Sequence, residues 1–405
     1  MTDNKRKKYN FTTSNDDFPL LYIHIPFCDS KCNYCAFNSY TNINHLKKEY
    51  FEAIKKQFLN DVKKENFKTV FIGGGTPSTM SVEFYEKLFG LLAPHIKNCH
   101  EITIECNPNT SYEWLREIKN LGVNRISFGV QSFNDEKLKF LNRNHSPSQA
   151  INAIQNAKKA GFENINLDLI YSTALDTKEL LSQDLKIAFS LPITHISAYS
   201  LTIEENTKWE GDFSKRKYDE ELEIWFIEKI KEKFTQYEIS NFGKPCEHNL
   251  GYWRGDEYIG IGAGAVGFRK WRMENGKLKM GNMQCEMENG ECTMENEKST
   301  MDNGQWDMKN EKRKIFRYYT QNDVYEYLKN PTKYNYEYLS LEDIKKEKVF
   351  LGLRSILGFE ENILNEEEKK RVEILIEEKK LFKKQNKIHA YDFLLADALS
   401  AYILD

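Results

Sequence analysis

Three cysteines, Cys28, Cys32 and Cys35, stand at C-x3-C-x2-C in the stretch Tyr22-Ile23-His24-Ile25-Pro26-Phe27-Cys28-Asp29-Ser30-Lys31-Cys32-Asn33-Tyr34-Cys35-Ala36-Phe37. Leu20 to Ile25 is an apolar, β-branched run that reads as a buried strand, and Pro26 ends it. The cysteines therefore belong to a loop at the carboxyl end of a first strand, where a flexible backbone can wrap three thiolates around one face of a metal cluster. A structural zinc site takes four protein ligands, and iron–sulfur clusters are held by cysteine thiolates, usually four. A cubane held by three cysteines leaves one iron open to a small molecule, and the spacing with its flanks favours that reading. The alternative is a zinc knuckle completed by His24 or a distant cysteine. A disulfide is disfavoured, because the spacings are tight and nothing in the chain suggests export.

A second candidate is Gly73-Gly74-Gly75-Thr76-Pro77, which follows a predicted strand and precedes a predicted helix. Glycines let a backbone approach a ligand closely, and exposed N–H groups can bind an anionic or amino-acid end. The loop is not a P-loop, since no Gly-Lys-Ser/Thr follows. Polar residues also stand at or just after predicted strand ends: Glu105, Gln131 and Asp168.

These residues need a frame. Strands are expected at 20–25, 68–72, 101–105, 124–128, 164–171 and 194–201, with helices at 44–64, 81–92, 111–119, 135–141, 149–160 and 177–189 between them. Such alternation predicts right-handed βαβ units and a parallel sheet: an α/β fold, a partial TIM-like (β/α)6 barrel over residues 19–203. Functional residues of such barrels gather at the carboxyl ends of the strands, where the cysteine loop, the glycine loop and the polar residues fall. Residues 204–272 read as an extension of the barrel, with a helix at 218–233, a short strand at 236–240 and the glycine-studded apolar stretch 258–267. The tail, 315–405, reads as a smaller, mostly helical, winged-helix-like carboxyl-terminal domain, with Leu351, Leu353, Ile356 and Leu357 as expected core. Residues 1–18 read as a polar tail. Residues 273–314 form a seven-residue repeat in six copies, from Met273 to Lys314, with methionine opening each copy. Mostly one apolar position per copy is too few for a coiled coil or a packed core, so a disordered insertion without chemistry is expected.

Composition narrows the function classes. The chain has 405 residues, 40% hydrophobic and 13% aromatic, enough for a large core and two to three domains. A net charge of −3 gives no global electrostatic case for nucleic acid. No run approaches the length of a membrane helix, and the amino terminus has no apolar signal core, so no membrane span is expected. Eight cysteines without an export signal point to a reducing cytoplasm, and Cys99, Cys106, Cys285 and Cys292 show no partner pattern.

The motif Y-x-H-I-P-F-C-x3-C-x-Y-C resembles that of the radical S-adenosylmethionine (SAM) superfamily, in its coproporphyrinogen III oxidase-like branch. The resemblance implies a [4Fe-4S] cluster on Cys28, Cys32 and Cys35, SAM on the open iron, and reductive cleavage of SAM to a deoxyadenosyl radical. It implies that Gly74, Gly75 and Thr76 contact the methionine part of SAM, that Glu105, Gln131 and Arg143 lie near it, that Asp168 faces the ribose, and that Tyr22 and Tyr34 line the same pocket. Two members of the branch compete: an oxygen-independent coproporphyrinogen III oxidase and a HemW-type haem chaperone. The oxidase pattern has a further Cys where this chain has Phe37, and a longer leader than the 27 residues before Cys28. The chaperone pattern H-N-x-x-Y-W stands complete as His248-Asn249-Leu250-Gly251-Tyr252-Trp253. That implies haem on His248, with flat apolar faces from Tyr252 and Trp253 and Cys246 as a second candidate ligand; the alternative is a buried, hydrogen-bonded histidine. The implied partners are haem, haem-receiving apoproteins and a cytoplasmic electron donor. A methyltransferase using polar transfer would not need an open cluster. The chain departs from the family at Tyr171-Ser172-Thr173-Ala174, where Y-G-L-P is usual, and at Val266, where many members have histidine.

Overall fold

The computed structural model describes residues 18–274, 277–280, 283–288, 291–293 and 313–405, with side chains for 18–270 and 315–405. The six expected βα units are present. Strands β1 (Leu20–Ile25), β2 (Thr69–Gly74), β3 (Glu101–Cys106), β4 (Arg125–Gln131), β5 (Asn164–Tyr171) and β6 (His195–Ser200) pair in sequence order, all parallel. Helices α1 (Lys47–Asp61), α2 (Val82–Leu92), α3 (Tyr112–Asn120), α4 (Asp135–Phe140), α5 (Pro147–Lys159) and α6 (Lys178–Ser190) lie between them. Side-chain caps at Ser81, Ser111, Asn134, Ser146 and Thr177 start five of these helices. Strand residues such as Ile23, Ile72, Ile104, Ile126, Leu167 and Ile196 are fully buried in one continuous core with the helices.

Beyond residue 203 the chain closes both edges of the sheet. Helix α7 (Glu220–Lys231) leads to β7 (Asn241–Gly243), antiparallel to β6. The short strand is thus shifted from the expected 236–240. Helix α8 (Glu247–Arg254) precedes β8 (Tyr258–Ile261), which pairs parallel with β1, so the glycine-studded stretch becomes a sheet strand and turn. Strand β9 (Val266–Glu274) follows antiparallel.

Two expectations change here. The described parts of the methionine repeat run as antiparallel backbone strands, β10 (Lys277–Met280), β11 (Met283–Glu288) and β12 (Glu291–Thr293), rather than as an unstructured loop. In sequence, Asn275-Gly276, Gly281-Asn282 and Asn289-Gly290 stand between them, and such dipeptides favour two-residue hairpin turns. The rest of the repeat, and residues 1–17, lie outside the described residues. Residues 315–339, expected with the tail domain, instead join the large sheet: β13 (Arg313–Thr320) pairs with β9 and with β14 (Tyr334–Leu339), with α9 (Val324–Lys329) between.

The winged-helix-like unit therefore starts at α10 (Leu341–Leu353). It continues through β15 (Phe359–Glu360), α11 (Glu366–Glu377), β16 (Leu381–Lys384), β17 (Lys387–Ala390) and α12 (Ala396–Leu404), around its own core of Leu353, Phe359, Val372 and Ile388. Leu353 is buried as expected, whereas Leu351, Ile356 and Leu357 are only half-buried. Among the described residues no helix is long and apolar enough to cross a membrane.

The departure after β5 has a structural answer. Ser172 adopts φ +64°, a backbone that favours the glycine it replaces, and its hydroxyl donates to Glu223 (2.7 Å). Next to it, Lys137 of α4 and Asp176 form a fully buried ion pair at 2.6 Å, and Lys137 Nζ also donates to Ile170 O at 2.7 Å. This pair fixes α4, whose end supports the cysteine loop. Replacing Asp176 by Asn leaves a buried ammonium without its counter-charge. A loss of about 3–5 kcal/mol in urea unfolding is expected, and a loss below about 1 kcal/mol would contradict the role assigned to the pair.

Candidate functional site

The cysteine loop is closed at its neck by backbone bonds. Cys28 N donates to Tyr40 O (2.9 Å), and Tyr40 N donates to Pro26 O (2.7 Å). Inside the loop, Lys31 Nζ donates to Phe37 O, Ser39 O and Ser39 Oγ at 2.8, 3.1 and 2.8 Å, replacing packing that so polar a loop lacks. Asn33 reaches the end of α4 through Phe140 O (3.0 Å) and Leu141 O (3.3 Å). Asn38 Nδ2 donates to Ala263 O and Asn322 O at 2.9 and 2.8 Å. That contact accounts for Gly264, where a Cβ would lie 2.4 Å from Asn38 Nδ2.

The glycine loop packs directly on the first thiol. Gly75 N donates to Ile25 O and Thr76 N to Phe27 O, both at 2.8 Å, and Thr76 Oγ1 lies 3.4 Å from Cys28 Sγ. A Cβ on Gly75 would lie 2.9 Å from Phe27 O and 3.0 Å from Cys28 Sγ, so only glycine lets the two loops meet. Burial pushes the Cys28 thiol up, and Thr76 and Ser39 oppose it by hydrogen bonding. Arg143 Nη1 donates to Cys32 Sγ (3.2 Å), while its other terminal nitrogen holds Asn107 Oδ1 (3.0 Å) and Gly129 O (2.6 Å). Cys35 Sγ lies 4.0 Å from Ser39 Oγ.

Below the loops, Gly74 N donates to Glu105 Oε2 (3.1 Å), and Asn166 Nδ2 donates to Asp168 Oδ1 (2.8 Å). Burial pushes Glu105 up to about 7, and the nearby Asp168 charge adds to it; burial raises Asp168 as well. Gln131, at φ +69°, is buried with Oε1 lacking a partner, and Arg143 Nε and Asn33 Oδ1 are likewise buried and unpaired. Buried carboxyls of raised proton affinity suit a cationic group, and the orphaned amide oxygens and guanidinium N–H around three thiols suit a ligand that also carries donors and acceptors.

The donor set also separates the cluster reading from the zinc one. A structural zinc site takes four protein ligands, whereas a cubane can be held by three thiolates with its fourth iron open. His24 is committed elsewhere. Its Nε2 donates to Asn38 O (2.7 Å), Nδ1 accepts from the Tyr22 hydroxyl (3.0 Å), and burial lowers it to about 4.

Two placements differ from the sequence reading. Tyr22 lines a lateral cavity with Tyr252 and Tyr258, while Tyr34 packs on Trp209 at 6.4 Å, so the two tyrosines serve different walls. His248 is not at the mouth at all. Its Nδ1 meets Thr69 Oγ1 (2.7 Å) at the start of β2, five residues and roughly 16 Å below Gly74. Its Nε2 meets the Tyr252 hydroxyl (2.8 Å), its exposure is 0%, and burial lowers it to about 3. Cys246 is equally buried, with Sγ on Glu101 Oε1 at 3.3 Å, and Glu101 caps α8 by accepting from Glu247 N and His248 N at 3.0 Å each. With both ring nitrogens bonded and the side chain fully buried, His248 stands as a hydrogen-bonded histidine in this structure, apart from the barrel mouth. Sequence reading missed Asn107, Lys31 and Asn38, which orient the loop; no spacing rule marks such polar residues.

Residues 22–180 match the Radical SAM superfamily. Heme chaperone HemW of Bacillus subtilis is 38% identical over 265 residues, which cover 61% of this chain and 70% of that protein. Heme chaperone HemW of Escherichia coli is 39% identical over 263 residues, covering 61% and 69%. Among solved structures, coproporphyrinogen III oxidase (HemN) from Escherichia coli superposes with a TM-score of 0.71 over 95% of this chain and 90% of that one, at 18% identity, a likeness of fold alone.

The Glu105 carboxyl gives a pH signature. A carboxyl that holds its proton more tightly folded than unfolded stabilises the fold fully below its ordinary 4.5 and loses that contribution as pH rises through about 7. The ligand-free protein is expected to lose roughly 3 kcal/mol across that window in urea titrations, a slope that Glu105→Gln removes. An unchanged slope in the variant would contradict the assignment.

Proposed function

We propose, from the premise that the chain belongs to the HemW family of radical SAM proteins, that it is a haem chaperone carrying a [4Fe-4S] cluster and SAM. The observation that carries the reading is the fixed thiol loop at the barrel mouth, sewn to the glycine loop, in a chain that shares 38% identity with a heme chaperone over most of that protein. Cys28, Cys32 and Cys35 hold the cluster, and the backbone and side chain of Gly74, Gly75 and Thr76 receive the amino-acid end of SAM. Glu105 accepts from a cationic amine, and Asp168 grips ribose hydroxyls, each gaining a partner that offsets the cost of its burial. Gln131 and Arg143 turn their unpaired atoms to the same ligand. When bound, the cluster and SAM supply one-electron reductive cleavage of a sulfonium, and the protein's part is binding, orientation and exclusion of water.

Haem is the cargo, haem-requiring apoproteins are the recipients, and a cytoplasmic electron donor serves the cluster. Phe37, 69% exposed, stands where the oxidase pattern has a further cysteine, which disfavours tetrapyrrole decarboxylation. Anaerobically reconstituted protein is expected to bind hemin and pass it to an apo-haemoprotein, and to form no protoporphyrinogen from coproporphyrinogen III, SAM and reductant. Robust protoporphyrinogen formation, or failure to bind hemin, would overturn the reading.

A further inference from the structure

With His248 sealed in the barrel floor, the cargo needs another seat. Beside the cysteine loop, where Ala36 and Phe37 form part of its wall, lies a cavity of about 560 Å³. That volume falls within the roughly 300–1,000 Å³ of pockets that bury a sizeable organic ligand. Its walls are mostly aromatic and apolar. Tyr258 and Phe268, cross-strand neighbours on β8 and β9, stack nearly parallel (5.9 Å, 29°) and make a flat face, and Tyr252 meets Tyr258 edge-on at 4.7 Å. Leu351 of α10 stands on the wall from the carboxyl-terminal unit, which accounts for its half-burial. Val266, at the position where the family's histidine is absent, also lines this space.

The charge pattern is specific. Among the described residues lining the cavity, Arg317 is the one guanidinium or ammonium and Glu347 the one carboxylate, and they are ion-paired to each other across β13 and α10. Arg317 also approaches Glu337 at 3.4 Å and stands 5.9 Å from the Phe268 ring. An aromatic slot ending in a guanidinium recognises a flat ring that carries carboxylates.

We infer that this cavity, and not His248, seats a planar tetrapyrrole, with the macrocycle against Tyr258 and Phe268 and a ring carboxylate competing with Glu347 for Arg317. The inference rests on the haem reading above. In the H-N-x-x-Y-W segment the contribution to the seat then comes from Tyr252, which the i, i+4 spacing places over His248 and on the cavity wall.

The test titrates hemin and, separately, metal-free protoporphyrin IX into the full chain, read by Soret absorbance and tryptophan quenching. Arg317→Met and the space-filling Leu351→Trp are expected to weaken both ligands about tenfold, and Glu347→Gln, which removes the competing carboxylate, to tighten both about threefold. Folded His248→Asn is expected to bind within about twofold of wild type. Cavity variants that bind as wild type, Glu347→Gln that weakens binding, a response confined to hemin, or loss of binding in folded His248→Asn would each overturn the seat. If His248→Asn does not fold, the sign of the Glu347→Gln effect decides. Wild-type protein that takes up neither ligand would overturn the haem reading itself, whereas wild-type uptake with indifferent cavity variants overturns only the seat.

Discussion

The mouth of this barrel depends on one constraint: the backbone pairing of the first two strands continues past their ends. Gly75 N to Ile25 O and Thr76 N to Phe27 O sew the glycine loop to the start of the cysteine loop. Only a residue without a side chain fits at 75, because the nearest atoms would be a carbonyl and the first thiol itself. Cys28 is thereby fixed by strand geometry. Cys32 is fixed from the opposite side by Arg143, whose guanidinium is itself held by Asn107 and Gly129. A soft, polar loop acquires definite thiol positions because rigid strand ends and one arginine define them, which is what a reactive centre requires.

Beneath the mouth the barrel interior is polar, and it divides into two levels. The upper level holds Glu105 and Asp168, two buried carboxyls whose proton affinity burial raises, with the Asp168 charge adding to the effect at Glu105. The lower level holds Glu101, Cys246 and His248, whose hydrogen bonds anchor α8 and close the floor, with the buried Arg125 guanidinium beside them. Around the upper level Gln131 Oε1 and Arg143 Nε have no partner, whereas His248 below has both ring nitrogens bonded. That difference, more than residue type, separates a binding site from a structural network.

The parallel barrel was legible because strands such as β1 and β2 are apolar, β-branched runs that lead into Pro26 or the glycine run, and five of its helices carry side-chain caps. The three cysteines and the glycine loop were legible because their spacing at strand ends has few other uses. Other features were hidden for physical reasons. The role of His248 depends on where a helix docks, and local spacing cannot tell an exposed imidazole from one with both nitrogens bonded. The partners of Arg143 are 14 to 111 residues distant, so no local pattern announces them. The antiparallel strands 277–280, 283–288 and 291–293 lie in a segment that composition alone reads as low complexity, and β13 and β14 joined the large sheet beyond it.

The central claim is that three thiolates leave one iron of a cubane open to SAM. Mössbauer spectroscopy of protein reconstituted anaerobically with ⁵⁷Fe, before and after SAM, tests it most directly. The expected result is a cluster in which about one iron in four changes its isomer shift on SAM addition while the others do not. A protein that assembles no cubane, or one whose four irons are indifferent to SAM, would contradict it.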